Sequence, residues 1–316
     1  MHPIPNAHLY TTATTHPGKQ GKNNEDRYAI LAFEQEGEPL LPVTLGILAD
    51  GVGGKRGGEI AAEMAIDIIA EAVAQSDGSE PLLTLQNAII DADQKIGQRG
   101  KQMDEGRGMG TTVSTALIVG SNLYTAYVGN SRIYLLRAGK LYQLSTDHTW
   151  VQEAIEIGVL TPEQAKKHPQ KNVITRAVGS HKDVVPDFRL RWKPGETDMQ
   201  AEQNQGFLLK PGDLVFLCSD GLSDLVEDAE IEAYLKAGDT KKALDGLTEL
   251  ANERGGHDNI TMIALGVPKE TDKPVPTPKK PKRDIAWWFS VGCMALIVLA
   301  FLATIVGAAA LSFFGN

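Results

Sequence analysis

The chain has 316 residues, of which 42% are hydrophobic, enough apolar sequence for a packed core and too much for a disordered chain. A formal net charge of -9 excludes a nucleic-acid-binding body, since phosphate-backbone affinity comes from clustered Lys and Arg, whereas acidic sequence suits divalent cations. With only Cys218 and Cys293, there is no disulfide framework, a usage that fits a reducing compartment.

In chain order, the first residues lack the basic start and apolar run of a secretory signal. His2, His8 and His16 fall in a stretch read as irregular. Apolar, β-branched runs predict strands over Tyr28–Phe33, Val43–Ala49, Thr112–Val119, Leu123–Val128, Ile133–Arg137, Asp183–Arg191, Leu214–Ser219 and Ile260–Val267. The short links Gly120-Ser121-Asn122 and Ala138-Gly139-Lys140 favour antiparallel neighbours. Helical spacing predicts helices over Gly58–Ala74, Pro81–Gln98, Thr149–Ile157, Thr161–Lys167, Asp228–Ala237 and Thr240–Glu253. Strand runs punctuated by helix pairs imply an α+β domain, a β-sandwich of two antiparallel sheets flanked by helix pairs in α-β-β-α layers. Cys218, inside an apolar strand, reads as a small buried hydrophobe.

That folded unit takes residues 1–267. Residues 268–284, with Pro274, Pro276, Pro278 and Pro281 among lysines, form an extended linker. Residues 285–312 carry no charge, and as a helix Ala286 to Leu311 would reach about 39 Å, enough to cross a bilayer. Lys279, Lys280, Lys282 and Arg283 precede this segment, and Trp287 and Trp288 would mark its interface. The positive-inside bias therefore predicts a single-pass C-terminal anchor in the cell membrane lipid, with the domain in the cytoplasm.

The chemistry is signalled by acids at the ends of apolar strands. They occur in the ordered set Asn24-Glu25-Asp26, Asp50-Gly51-Val52-Gly53-Gly54, Gly110-Thr111-Thr112, Gly129-Asn130-Ser131-Arg132, Asp220-Gly221-Leu222-Ser223-Asp224 and His257-Asp258-Asn259-Ile260-Thr261. Hard cations such as Mg²⁺ and Mn²⁺ take one or two carboxylates with waters completing an octahedron. A water shared by two such cations is deprotonated near neutral pH and can attack phosphorus, replacing a protein nucleophile.

This set resembles the metal-dependent serine/threonine protein phosphatases of the PP2C (PPM) family in their compact bacterial form, from Tyr10 to Val267. Asp147-His148-Thr149 through Thr175-Arg176-Ala177-Val178-Gly179 resembles the family's flap region, with His148 at its start. The resemblance implies a two-metal site for Mn²⁺ or Mg²⁺ at one end of the sandwich. Asp50 matches the bridging carboxylate and the Gly51 carbonyl a ligand of the second ion. Asp220 and Asp258 match ligands of the first. Glu25 and Asp26 match acids that hold metal-bound water or stand behind it, and Asn259 orients its neighbour. The implied reaction is hydrolysis of phosphoserine and phosphothreonine in proteins by a metal-bridging water or hydroxide, reversing Ser/Thr kinases at the membrane.

Three positions depart from the family pattern. Many relatives place a phosphate-gripping Arg where this chain has Gly21, and Lys22 is the expected substitute, a point charge without the bidentate fork. Asn130 replaces an aspartate associated with a third, weaker ion, so an ion held with Asp224 should bind poorly. Val52 stands where some relatives carry a proton-donating histidine, leaving a metal-bound water to protonate the leaving group. His257 beside Asp258 reads as a surface or supporting histidine, and Arg176 as a support of the fold. The rival reading is a non-catalytic phosphoprotein-binding scaffold that kept the fold, and the intact Asp26, Asp50, Asp220 and Asp258 argue against it. A glycosidase built on paired carboxylates lacks an aromatic sugar platform here.

Overall fold

The computed structural model describes residues 1–21, 23–35, 37, 39–53, 57–103, 108–180 and 184–269. The expected membrane helix, and the expected linker beyond Lys269, lie outside them. Among the described residues no helix is long and apolar enough to cross a membrane. Met1–Lys269 form a compact unit.

From the N-terminus, β1 (His2–Pro3), β2 (Tyr10–His16), β3 (Arg27–Gln35), β4 (Leu41–Ala49) and β5 (Gly51–Val52) lead into α1 (Gly57–Gln75) and α2 (Pro81–Gln102). Next come β6 (Gly110–Thr111), β7 (Val113–Val119), β8 (Asn122–Val128), β9 (Arg132–Arg137) and β10 (Lys140–Gln143), then α3 (Trp150–Glu156), α4 (Pro162–Lys166) and α5 (Asp198–Gln203). The chain continues through β11 (Phe207–Leu208), β12 (Leu214–Cys218), α6 (Asp220–Ser223), α7 (Asp228–Leu235), α8 (Thr240–Glu253) and β13 (Ile260–Gly266).

One sheet runs β1-β3-β4-β7-β8-β11 and the second β10-β9-β12-β13-β2, while β5 and β6 pair as a separate ribbon. Every pairing is antiparallel, as the short turns between β7 and β8 and between β9 and β10 predict. Both faces of each sheet are covered, which explains strand runs that read as nearly continuous apolar sequence.

Alternation along each strand assigns its side chains to layers. In β4, Val43, Leu45, Ile47 and Ala49 pack under α1 and α2, while Leu48 faces the sandwich interior. In β12, Leu214, Phe216 and Cys218 pack under α7 and α8, while Val215 and Leu217 face inward to meet Leu48, Ile118, Ile263 and Leu265. Gly46 lies where the sheets approach: a Cβ there would stand 3.1 Å from Leu265 Cδ1. Cys218 is fully buried, as its apolar context predicts, and burial pushes its thiol well above the ordinary range.

Two expectations are corrected. The N-terminal stretch is not irregular, because Tyr10–His16 is the edge strand of the second sheet, paired with β13 over its whole length. Its signal was four threonines, which favour strands but carry no apolar alternation. The expected strand Asp183–Arg191 does not form in its described part, which makes only the isolated bridge Tyr127↔Asp187. The edge of β8 pairs with β11 instead, and Asp187 and Arg189 turn inward into ion pairs.

Candidate active site

Four strand ends from the two sheets meet at one edge of the sandwich. Arg27 of β3 pairs with Ala49 of β4, so Asp26 and Asp50, the next residues out, lie side by side. Cys218 of β12 pairs with Met262 of β13, and just beyond it Ser219 donates its N–H to Thr261 O at 3.0 Å. Asp220 follows on one side and Asp258 and Asn259 precede β13 on the other. A cleft of about 770 Å³ opens there, lined by Glu25, Asp50, Gly51, Asp220, Asp224 and Asp258 among others.

Asp50, Asp26, Asp220 and the Glu25 backbone are each held by a neighbouring residue. The Asp50 N–H donates to Thr112 Oγ1 at 3.0 Å, and Asp50 O accepts from Thr112 N at 2.8 Å and from Thr111 Oγ1 at 2.9 Å. The buried Asp26 accepts from Ser219 Oγ at 2.8 Å. Asp220 Oδ2 accepts from Asn130 Nδ2 at 2.8 Å. Asn259 Oδ1 accepts the Glu25 N–H at 2.8 Å, while its amide spans Pro17 O and Asn23 O, so it pins the 17–25 loop rather than orienting Asp258 alone. Glycine is required at Gly51, where a Cβ would lie 2.4 Å from the Gly58 carbonyl at the start of α1.

The electrostatics are one-sided. Burial, followed by the charges of Asp26, Asp220 and Asp258, pushes the Asp50 carboxyl well above the usual carboxylate range. Burial and then the charges of Asp224, Asp258 and Asp26 push Asp220 up to about 7, against the Asn130 hydrogen bond. Burial likewise raises Asp26 to about 6 in spite of hydrogen bonds from Thr261 and Ser219. The charges acting most strongly on Asp50 are all carboxylates, and Asp26 Oδ1 and Asn130 Oδ1 are buried with no hydrogen-bond partner among the described residues. Such a group is costly unless a cation joins it, so the donor set fits hard divalent ions. Among the described residues no three acidic, imidazole or thiolate side chains form a ready-made ligand group by themselves.

Of the residues expected from the sequence, the fold brings together Glu25, Asp26, Asp50, Gly51, Asp220 and Asp258. Asp258 is exposed at the rim, Asp26 is buried behind the floor, and His257 lines the cleft. Asn130 and Asp224 share an adjoining cavity with Asp220. Lys22 lies outside the described residues. Arg176 is exposed and does not line the cleft. Motif reading missed Thr112 as the holder of Asp50, Ser219 as the holder of Asp26, and Lys171 and Asn172, which reach the cleft from the flap segment. Asn172 Nδ2 donates to Asp224 Oδ2, and Lys171 lends Asp224 positive charge against the burial that raises its carboxyl. Only the alternation of Ser219 between Cys218 and Asp220 hinted at its inward aim.

The family profile described as Protein phosphatase 2C matches residues 15–259. The chain is 33% identical over 260 residues to protein phosphatase PhpP of Streptococcus pneumoniae, covering 81% of this chain and 96% of that protein. The crystal structure of the S. agalactiae serine/threonine phosphatase superposes with a TM-score of 0.70 at 36% identity, covering 82% of this chain and 99% of that one. The catalytic domain of the serine threonine protein phosphatase PstP, solved in complex with 2 manganese ions, superposes with a TM-score of 0.66 at 32% identity, covering 83% and 99%. On the strength of these matches and of the acidic cleft between two antiparallel sheets, the chain belongs to the protein phosphatase 2C family of serine/threonine protein phosphatases.

Proposed function

We propose that this chain hydrolyses phosphoserine and phosphothreonine esters of proteins with two divalent cations, Mn²⁺ or Mg²⁺, held at the strand-end cleft. The observation that carries the reading is the gathering of the carboxyls of Asp26, which is buried, and of Asp50 and Asp220, which are half-buried at the cleft, in one place and among further carboxylates. The two manganese ions of the PstP domain support it. Asp50, the Gly51 carbonyl, Asp220 and Asp258 would hold the ions, which when bound neutralise phosphate charge and activate water at neutral pH.

The remaining work belongs to the chain. Thr111 and Thr112 fix the Asp50 backbone, so its carboxylate is delivered at a constant place beside the Gly51 turn. Asn259 fixes the loop that carries Glu25, the acid at the cleft suited to accept a proton from attacking water, and Ser219 orients Asp26 behind it. Lys171 supplies positive charge at the mouth, where a phosphoprotein enters, and Lys22 is kept from the sequence as the proposed phosphate contact. Val52, exposed at the cleft, donates no proton, so the leaving alkoxide takes one from solvent. Asn130 offers a neutral oxygen beside Asp224, which argues for two ions rather than three.

The full chain, purified in detergent and freed of metal, should hydrolyse p-nitrophenyl phosphate and a phosphothreonine peptide only after Mn²⁺ or Mg²⁺ is added. Absence of hydrolysis by folded, metal-loaded protein removes the reading and favours a phosphoprotein-binding scaffold.

Residues 285–312 are proposed as a membrane anchor with the catalytic unit in the cytoplasm, where Ser/Thr kinases and their substrates would be partners. Fractionation with protease protection tests this, and recovery of the intact chain in the soluble fraction rejects it.

A further inference from the structure

His148 is almost completely buried, with its side chain 2% exposed, between β10 and α3. Its Nε2 lies 3.0 Å from Asp187 Oδ2, and its Nδ1 lies 3.0 Å from the Gly129 backbone nitrogen. A backbone N–H only donates, so Nδ1 is the unprotonated nitrogen and the ring proton sits on Nε2, donated to Asp187. Asp187 is in turn gripped by Arg189, at 2.6 Å from Nη2 and 2.9 Å from Nε. The imidazole stacks on Tyr127 with centroids 5.4 Å apart, and the His148 N–H donates to Gly129 O at 2.9 Å.

Gly129 is thus clasped at both its N–H and its C=O by one residue. It has φ +108°, and a Cβ there would stand 2.6 Å from Thr112 Cγ2, so the turn cannot be anchored by a side chain of its own. The residues that follow reach the cleft acids and their holders from behind. Asn130 donates to Asp220, and Ser131 Oγ shares a 2.8 Å hydrogen bond with Thr112 Oγ1, the atom that receives the Asp50 N–H.

We infer that His148 is a positioning residue for the phosphatase site: its neutral imidazole, locked by Asp187, holds the Gly129 turn from which Asp220 is braced and the Asp50 anchor is buttressed. The inference rests on the two-ion reading of the cleft. The imidazole belongs to the fold's interior, touches neither ion position nor substrate, and acts through Asn130 and Thr112.

Two nearly isosteric replacements separate its two bonds. His148→Asn keeps an acceptor near the Nδ1 position and loses Asp187, whereas His148→Gln keeps a donor toward Asp187 and withdraws the acceptor from Gly129. In the full chain, His148→Gln should weaken Mn²⁺ binding by about tenfold or more in calorimetry, the range for groups that support metal ligands. It should also speed hydrogen exchange of the Gly129 amide in metal-free protein. His148→Asn should stay within about twofold of wild type in Mn²⁺ affinity although both variants lose thermal stability.

Equal Mn²⁺ affinities and equal Gly129 exchange in the two variants overturn the inference. Asn130→Ala covers the case in which neither variant folds: it should weaken Mn²⁺ binding with the Gly129 amide still protected, and unchanged affinity overturns the inference as well. If wild type itself binds no Mn²⁺, the two-ion reading fails, while Gly129 exchange still decides whether His148 holds the turn.

Discussion

Asp187 and the carboxyls at the strand ends behave in opposite ways. Asp187, behind the flap, is buried, yet the hydrogen bonds of His148 and Arg189 outweigh burial and hold its carboxyl well below the usual range. Asp50, Asp220 and Asp26, at the strand ends, are pushed upward because burial is reinforced by other carboxylates. Asp187 is neutralised by the chain's own cation and holds structure together. The strongest charges acting on Asp50 and Asp220 among the described residues are carboxylates, the surroundings that the two-ion proposal rests on.

The largest effect that could break this contrast is on activity. Asp50→Asn should lower Mn²⁺-dependent turnover of a phosphothreonine peptide by more than about a hundredfold, beyond the range of supporting groups, and near-wild-type turnover would remove Asp50 from the site. On the structural side, Arg189→Ala leaves Asp187 buried and uncompensated, so urea unfolding should show a loss of about 3–5 kcal/mol. A loss under 1 kcal/mol would mean that Asp187 is served by water instead.

Ser219→Ala removes the hydroxyl that Asp26 accepts from and that takes the Thr261 N–H, at a cost of about 1–3 kcal/mol. Turnover should fall by about tenfold to a hundredfold, and a variant with unchanged kcat would show Asp26 to be a bystander.

The smallest effect is on pH dependence and sharpens the contrast most. A folded-state carboxyl raised from 3.8 to about 6 or 7 binds its proton when the unfolded chain has released it. Stability therefore falls as pH rises from about 4 to about 7. Asp187, held below its ordinary value, contributes in the opposite sense, and its stabilisation is lost as pH falls below about 4. In metal-free protein, Asp220→Asn should consequently raise Tm relative to wild type at pH 8 and not at pH 4, and Mn²⁺ should abolish that advantage. A Tm difference independent of pH would refute the charge argument.

Much of the fold was legible because its strands are covered on both faces. Leu214–Cys218 is apolar throughout, Val43–Ala49 is so but for Thr44, and helices such as Thr240–Glu253 carry one apolar face. The edge strand Tyr10–His16 was not legible, since a half-exposed, threonine-rich strand is defined by its partner β13. At the site, Asp50 and Asp220 stood out by following apolar strands into Asp-Gly turns. Ser219 did not, and Thr112 and His148 stood in recognised motifs without their roles, because a hydroxyl or an imidazole acquires its role only from the atom that folding places opposite it.

The amino-acid order by itself determined which stretches bury themselves, where strands must stop, and that acids follow those stops, because hydrophobic periodicity and turn chemistry act over a few residues. The tertiary structure alone decided which stops meet. Pairing β3 with β4 and β12 with β13, then facing the two sheets, brought Glu25 and Asn259, more than two hundred positions apart, to one cleft. Burial and like charge, which depend on that meeting, set the proton affinity of those acids.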